Sequence, residues 1–196
     1  MNQLNAIAVF CGSSEGNDSI IISQAESLGK NLAAENITLV YGAAKIGIMG
    51  KIAKSCLEHH GNVIGVIPEF LKLKEVVHLG LTDLVTTQTM HDRKLKMHEI
   101  SDGFIALPGG FGTFEELFEI ITWAQLGLHQ KPIGLLNING YYDHLIVMFE
   151  TMVKKGFLKF ENLELLVIDD DITKLLTKMK NYQPQATPKW LNVERT

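Results

Sequence analysis

The sequence predicts a single doubly wound α/β domain, and three observations predict it. Short runs of strand length recur along the chain and are apolar throughout rather than alternating, the pattern of parallel strands buried on both faces. Longer segments of helical period separate them, which supplies the crossovers a parallel sheet needs. Glycine-containing loops, CGSS (11–14), GAAKIGIMG (42–50) and PGGFGT (108–113), follow three of the runs, and ligands of such folds bind outside the C-terminal ends of the strands.

AIAVF (6–10) is the first strand, and Asp18 or Ser19 caps a helix that runs to about Ala34. ITLVY (37–41) is the second strand, followed by the second glycine loop and a helix to about His59. NVIGVI (62–67) is the third, stopped by Pro68, and residues 68–82 read mostly as loop. DLVTTQ (83–88) has the β-branched character of a strand, and MHDRKLKMHEIS (90–101) is helical. GFIAL (103–107) runs into PGG, and Phe114 to Leu128 is a helix. KPIGLLN (131–137), a helix from Tyr141 to Lys155, LELLVI (163–168) and a helix from Ile172 to Lys180 complete the series. The domain spans 1–182, and the tail 183–196, with Pro184 and Pro188, is irregular.

Composition narrows the function. Of 196 residues, 46% are hydrophobic and 20% charged, enough for a sizeable core. The net charge of −4 and the lack of any Lys/Arg block argue against a nucleic-acid partner. Cys11 and Cys56 stand outside any metal-ligand spacing and read as free thiols. The seven histidines show no ligand spacing either, so no metal site is expected. The N-terminus lacks the charged start and apolar core of a signal peptide, and no apolar run reaches the ~20 residues of a membrane span. A cytoplasmic protein without membrane contact is expected.

PGGFGTFEELFE (108–119) sets an anion-binding pattern beside three acids. A glycine loop opening a helix brings backbone N–H groups and the positive end of the helix dipole to an anion. The loop is neither a Walker A sequence nor GxGxxG. Thr113 and Glu116 also fit a capping box, in which Glu116 is purely structural. Helical phase favours the opposite: Glu116 falls on the stripe of Ile120, Trp123 and Gly127, whereas Glu115 and Glu119 lie on a polar, solvated face. In the preceding helix Arg93 shares a stripe with Met90, Met97 and Ile100, while Lys94 and Lys96 reach solvent. An inward arginine needs a partner, which a structural salt bridge, a substrate or Glu116 would each provide.

MHDRK (90–94), PGGFGTFEE (108–116) and TWAQLGLHQKPIGLLNINGYYD (122–143) resemble the Lonely Guy family over about residues 5–180. The resemblance implies a Rossmann-like phosphoribohydrolase that acts on cytokinin-type or adenosine 5′-monophosphates without a cofactor. It implies that Glu116 and Arg93 are catalytic, on the family's P-G-G-x-G-T-x-x-E and M-H-x-R-K patterns. Gly109, Gly110, Gly112 and Thr113 are candidates for the phosphate. Ser13, Gly42, Gly47, Met49, Gly50, Met90 and Lys94 join them as substrate- or phosphate-binding candidates. Two departures stand out: Ala43-Ala44 replaces the family's further glycine after Tyr-Gly, which strains Ala43 if that position needs positive φ, and Asp92 replaces a glutamate. A non-catalytic nucleotide or molybdenum-cofactor binding module is the rival reading. Amino-acid decarboxylation is a weaker one, because it needs pyridoxal phosphate on a lysine for which the chain shows no pocket. The helix from Phe114 is apolar on two stripes, Phe114, Leu117, Phe118, Ile121 and Leu128 on one and Ile120 and Trp123 on the other. It therefore needs cover from both the sheet and a second subunit, and a homodimer is expected.

Overall fold

The computed structural model describes residues 3–72 and 77–184. Seven strands form one sheet: β1 (Ala6–Phe10), β2 (Thr38–Tyr41), β3 (Val63–Pro68), β4 (Asp83–Thr87), β5 (Gly103–Ala106), β6 (Ile133–Leu136) and β7 (Leu166–Asp169). Their order is β4-β3-β2-β1-β5-β6-β7, and every pairing is parallel. Among the described residues six α-helices connect them, α1 (Ser19–Ala34), α2 (Gly47–Glu58), α3 (Glu69–Lys72), α4 (Met90–Glu99), α5 (Phe111–Gln125) and α6 (Asp143–Lys154), and α7 (Ile172–Lys180) follows β7. The chain winds outward from β1 to β4 and returns to β5 on the other side of β1. The crevice therefore opens between the C-terminal ends of β1 and β5.

Uninterrupted apolarity follows from cover on both faces. In β1, Ile7 and Val9 pack into one layer with Leu28, Ile52 and Leu176, while Ala8 and Phe10 join Leu117, Ile120 and Tyr142 in the other. Burying an aliphatic side chain of this kind contributes about 1.5–3 kcal/mol.

Three elements differ from the sequence reading. α3 begins immediately after Pro68, in the stretch read as loop. The first half of the seventh apolar run is a 3-10 turn, Phe160–Leu165, and β7 starts only at Leu166. α5 begins three residues early, inside the glycine loop. The tail reading falls mostly on 185–196, outside the described residues. Among the described residues no helix is long and apolar enough to cross a membrane.

Candidate active site

The loops after β1 and β5 touch across the crevice. The amide of Gly12 donates to the carbonyl of Pro108 at 3.1 Å, and Leu107 N–H donates to Phe10 O at 2.9 Å. Beside this junction lies a cavity of about 270 Å³. Of the residues expected at the site, Arg93 and Glu116 line it together with Ser13, Gly42, Met49 and Met90. Gly110, Gly112 and Thr113 form the wall contributed by α5. Gly109 lines an adjoining cavity that shares Ser13 and Gly110 with the first.

Arg93 is placed by a cap. Thr89 accepts from the Asp92 amide at 3.1 Å, and Asp92 accepts from the Thr89 amide at 3.0 Å, which makes the reciprocal capping box that starts α4. Asp92, one carbon shorter than glutamate, still closes it. One residue on, Arg93 turns inward. Its Nε donates to Val66 O at 3.1 Å, and Nη1 donates to Glu116 Oε1 at 2.7 Å. Both side chains are nearly enclosed, 11% and 12% exposed. Burial pushes the Glu116 carboxyl above its ordinary value, and the charge and hydrogen bond of Arg93 pull it back down. Cys11 lies beside the pair. Burial and then the Glu116 carboxylate push its thiol up, so it stays neutral and is no nucleophile.

The capping box that Thr113 and Glu116 also fit does not form. The N-cap of α5 is Gly110, with no side-chain cap, so Thr113 already stands inside the first turn and is buried. Glu116 sits a turn further in and bonds Arg93 instead. An uncapped first turn retains N–H groups for an anion. A Thr113→Ala substitution therefore loses packing against Gly109 rather than a cap.

The glycines divide by cause. A Cβ on Gly109 would collide with the Thr113 side chain, and one on Gly42 with Arg93 Nη2 and Met49 Sδ. Gly47 has φ +67 and abuts the backbone of Ser13, while Gly50 abuts that of Lys45. These four keep the loops and Arg93 in place. Gly47 and Gly50 do not line the cavity, which assigns them a structural place rather than a wall of the site. Gly110 and Gly112 differ: a Cβ on either would meet nothing within 4 Å, and neither has positive φ. Nothing inside the protein requires glycine there. Ala43 does adopt φ +66, a left-handed conformation that costs a non-glycine residue about 1–2 kcal/mol. Its methyl group is accommodated above Gly65, where a Cβ would lie 2.8 Å away.

Lys94 does not reach solvent. It is 7% exposed, and its ammonium donates to Glu115 at 2.5 Å and to Glu119 at 2.9 Å. Burial would lower its pKa, but these two carboxylates raise it, so Lys94 stays charged. Glu115 is exposed as expected, 55%, although it also lines the cavity, whereas Glu119 is only 22% exposed, contrary to a freely solvated face. Helical phase missed this because it describes α5 alone, and α4 lies against the supposedly wet side. Leu71 and Phe111, also on the cavity wall, were missed as well. Phe111 stood in view inside PGGFGT, whereas Leu71 came from a segment read as loop. Among the described residues no group of three or more His, Cys, Asp or Glu is placed to hold a metal ion.

Fold and site together define a class: an α/β protein with a small-molecule crevice at the switch point of its sheet, an open helix N-terminus for an anion, and a buried Arg–Glu pair alongside. The family model described as "Possible lysine decarboxylase" matches residues 49–179. A cytokinin riboside 5′-monophosphate phosphoribohydrolase of Arabidopsis thaliana is 41% identical over 184 residues, covering 94% of this chain and 86% of the relative. A second from the same plant is 42% identical over 183 residues, covering 93% and 85%. The chain belongs to this family, the Lonely Guy phosphoribohydrolases. Among solved structures, the molybdenum cofactor binding protein of Rippkaea orientalis aligns with a TM-score of 0.68 at 20% identity, covering 91% of this chain and 97% of that one. A protein known as TM1055 aligns with a TM-score of 0.69 at 18% identity, covering 90% and 99%. At such identities the likeness is one of fold.

Proposed function

We propose that the protein hydrolyses the N-glycosidic bond of purine nucleoside 5′-monophosphates, of the cytokinin type or AMP, to free base and ribose 5-phosphate. The observation that carries this is the buried Arg93–Glu116 pair, 2.7 Å apart, in one cavity with the uncapped N-terminus of α5. The 5′-phosphate is held by the first-turn amides of α5, with Ser13 opposite. Gly110 and Gly112, which have open space where a side chain would be, let the anion approach the backbone. As the C1′–N bond lengthens, positive charge develops at C1′, and the Glu116 carboxylate stabilises it. Glu116 also orients the attacking water and takes its proton. The water oxygen bonds C1′, and the electron pair of the broken bond leaves with the base, which gains a proton. Arg93 opposes the upward push of burial on the Glu116 carboxyl and fixes its direction. Binding energy from the remote phosphate is used at C1′ to fix geometry. A carrier module for a nucleotide-like cofactor needs the cradle but not a buried carboxylate beside C1′, so the Arg–Glu pair favours the enzyme.

Two arms test the cradle. Adenosine should have kcat/KM far below that of AMP, and comparable values would remove the phosphate argument. Gly112→Ala should melt at the same temperature as the parent or slightly above it, since alanine is the better helix former by about 1 kcal/mol. It should nevertheless raise KM for AMP at least tenfold, measured by base release. Unchanged KM would show that no anion approaches there.

We also infer a homodimer, because Phe118, Leu126, Val147 and Met148 leave α5 and α6 with large exposed apolar side chains that a second copy would cover. Light scattering at micromolar concentration should give twice the 21.8 kDa chain mass; a monomer mass rejects it.

A further inference from the structure

We propose that Glu115 accepts a hydrogen bond from the ribose 2′-hydroxyl and so selects ribonucleotides over 2′-deoxyribonucleotides. This rests on the reaction proposed above. α4 and α5 face each other with two parallel charge contacts: Arg93 meets Glu116, and the next residue, Lys94, meets Glu115 and Glu119. The first contact serves C1′, and the second has no part in that chemistry. Glu115 nevertheless lines the same cavity. Its Oε1 is tied to the buried Lys94 ammonium, so the carboxylate is held in place at the wall rather than swinging in water. Its Oε2 accepts no hydrogen bond among the described residues.

An ionised carboxylate only accepts, so its ligand partner must be a donor. The phosphate is excluded by like charge. The donors of an adenosine monophosphate are the ribose hydroxyls and the exocyclic amine. Glu115 and Glu116 line one cavity, so with Glu116 at C1′ the sugar lies between them, and the 2′-hydroxyl stands on the carbon bonded to C1′. The amine lies across the full width of the purine. The hydroxyl is therefore the donor within reach, and hydrogen bonds to it strengthen as the sugar becomes cationic. Glu115 is 55% exposed, so water can partly replace a missing hydroxyl. The discrimination is about 10–10²-fold rather than the larger factors of fully enclosed sites.

The test measures kcat/KM for base release from AMP and from 2′-deoxy-AMP in the parent protein, Glu115→Ala and Glu115→Gln. Lys94 keeps Glu119 in both variants, so both are expected to fold, with melting curves as the check; should the alanine variant not fold, the glutamine variant carries the comparison. The AMP to deoxy-AMP ratio should fall at least tenfold in Glu115→Ala through loss on AMP alone. Glu115→Gln, which retains a neutral acceptor, should lie between. Taking the ratio cancels the intrinsic lability of the deoxyriboside. Equal losses on both substrates, or none, overturn this inference while the hydrolase reading stands. Absence of base release by the parent protein from every monophosphate overturns both.

Discussion

Glu116→Gln is expected to lower kcat for base release from AMP by about 10²-fold or more, the usual cost of removing a preorganised electrostatic contact to a transition state. The substitution keeps size and a carbonyl acceptor for Arg93 Nη1 but removes the charge that the proposed mechanism sets against C1′. Because Glu116 partners a buried guanidinium rather than a cap, stability also falls, by about 1.5–3 kcal/mol for a hydrogen bond to a charged group. Activity is therefore compared below the variant's melting transition. Glu115→Gln is no neutral control, since that residue lines the cavity and holds Lys94. Glu99→Gln, on the exposed end of α4 with a surface contact to Lys96 at 3.5 Å, changes charge equally and should leave turnover within a factor of two or so. Near-normal turnover in Glu116→Gln would end the mechanism.

Arg93→Met is expected to have the largest effect on stability. It preserves the apolar stem and leaves Glu116 buried without a counter-charge, which costs about 3–5 kcal/mol near neutral pH. The pH dependence has a definite sign. Burial already raises the Glu116 pKa, and Arg93 supplies the two largest opposing effects; without it the pKa rises further. The folded state then binds more protons than the unfolded one, so stability is retained below the unfolded carboxyl value, about 4.3, and is lost as pH rises through the raised folded value. Melting curves from pH 5 to 8 should show the deficit of Arg93→Met widening with pH. A deficit that stays constant would mean that Glu116 does not carry it. Base release should fall as well, with its acidic limb moved to higher pH, because a protonated Glu116 neither stabilises C1′ nor accepts a proton from water.

Much of the architecture follows from local pattern. Continuous apolar runs such as AIAVF identify strands covered on both faces, and the alternation with helical segments identifies the parallel sheet. The inward direction of Arg93 and Glu116 follows from helical phase alone, since each is the charged member of an apolar stripe. Whether Ala43 takes positive φ stayed conditional on the family's glycine at that position, and the folded loop decides it at φ +66. Nor was the start of α5 legible. Local propensity places Thr113 at a cap, but the β1 and β5 loops meet at Gly12 and Pro108 and draw the helix start back to Gly110. That shift of three residues leaves the first turn of α5 without a side-chain cap.

By itself, then, the sequence determined the sheet, the crevice at the strand ends and the two charged residues that turn inward, because these depend on periodicity along one element at a time. Tertiary structure alone decided who meets whom: that Arg93 bonds Glu116, that Lys94 is buried against Glu115 and Glu119, and that Gly42 makes room for the guanidinium whereas Gly112 faces open space. The physical reason is that a helix's phase defines a direction from its own axis but not what lies there. The environment of a charge is set by the neighbouring element that the fold packs against it, and with it the charge's pKa, its partner and its chemistry.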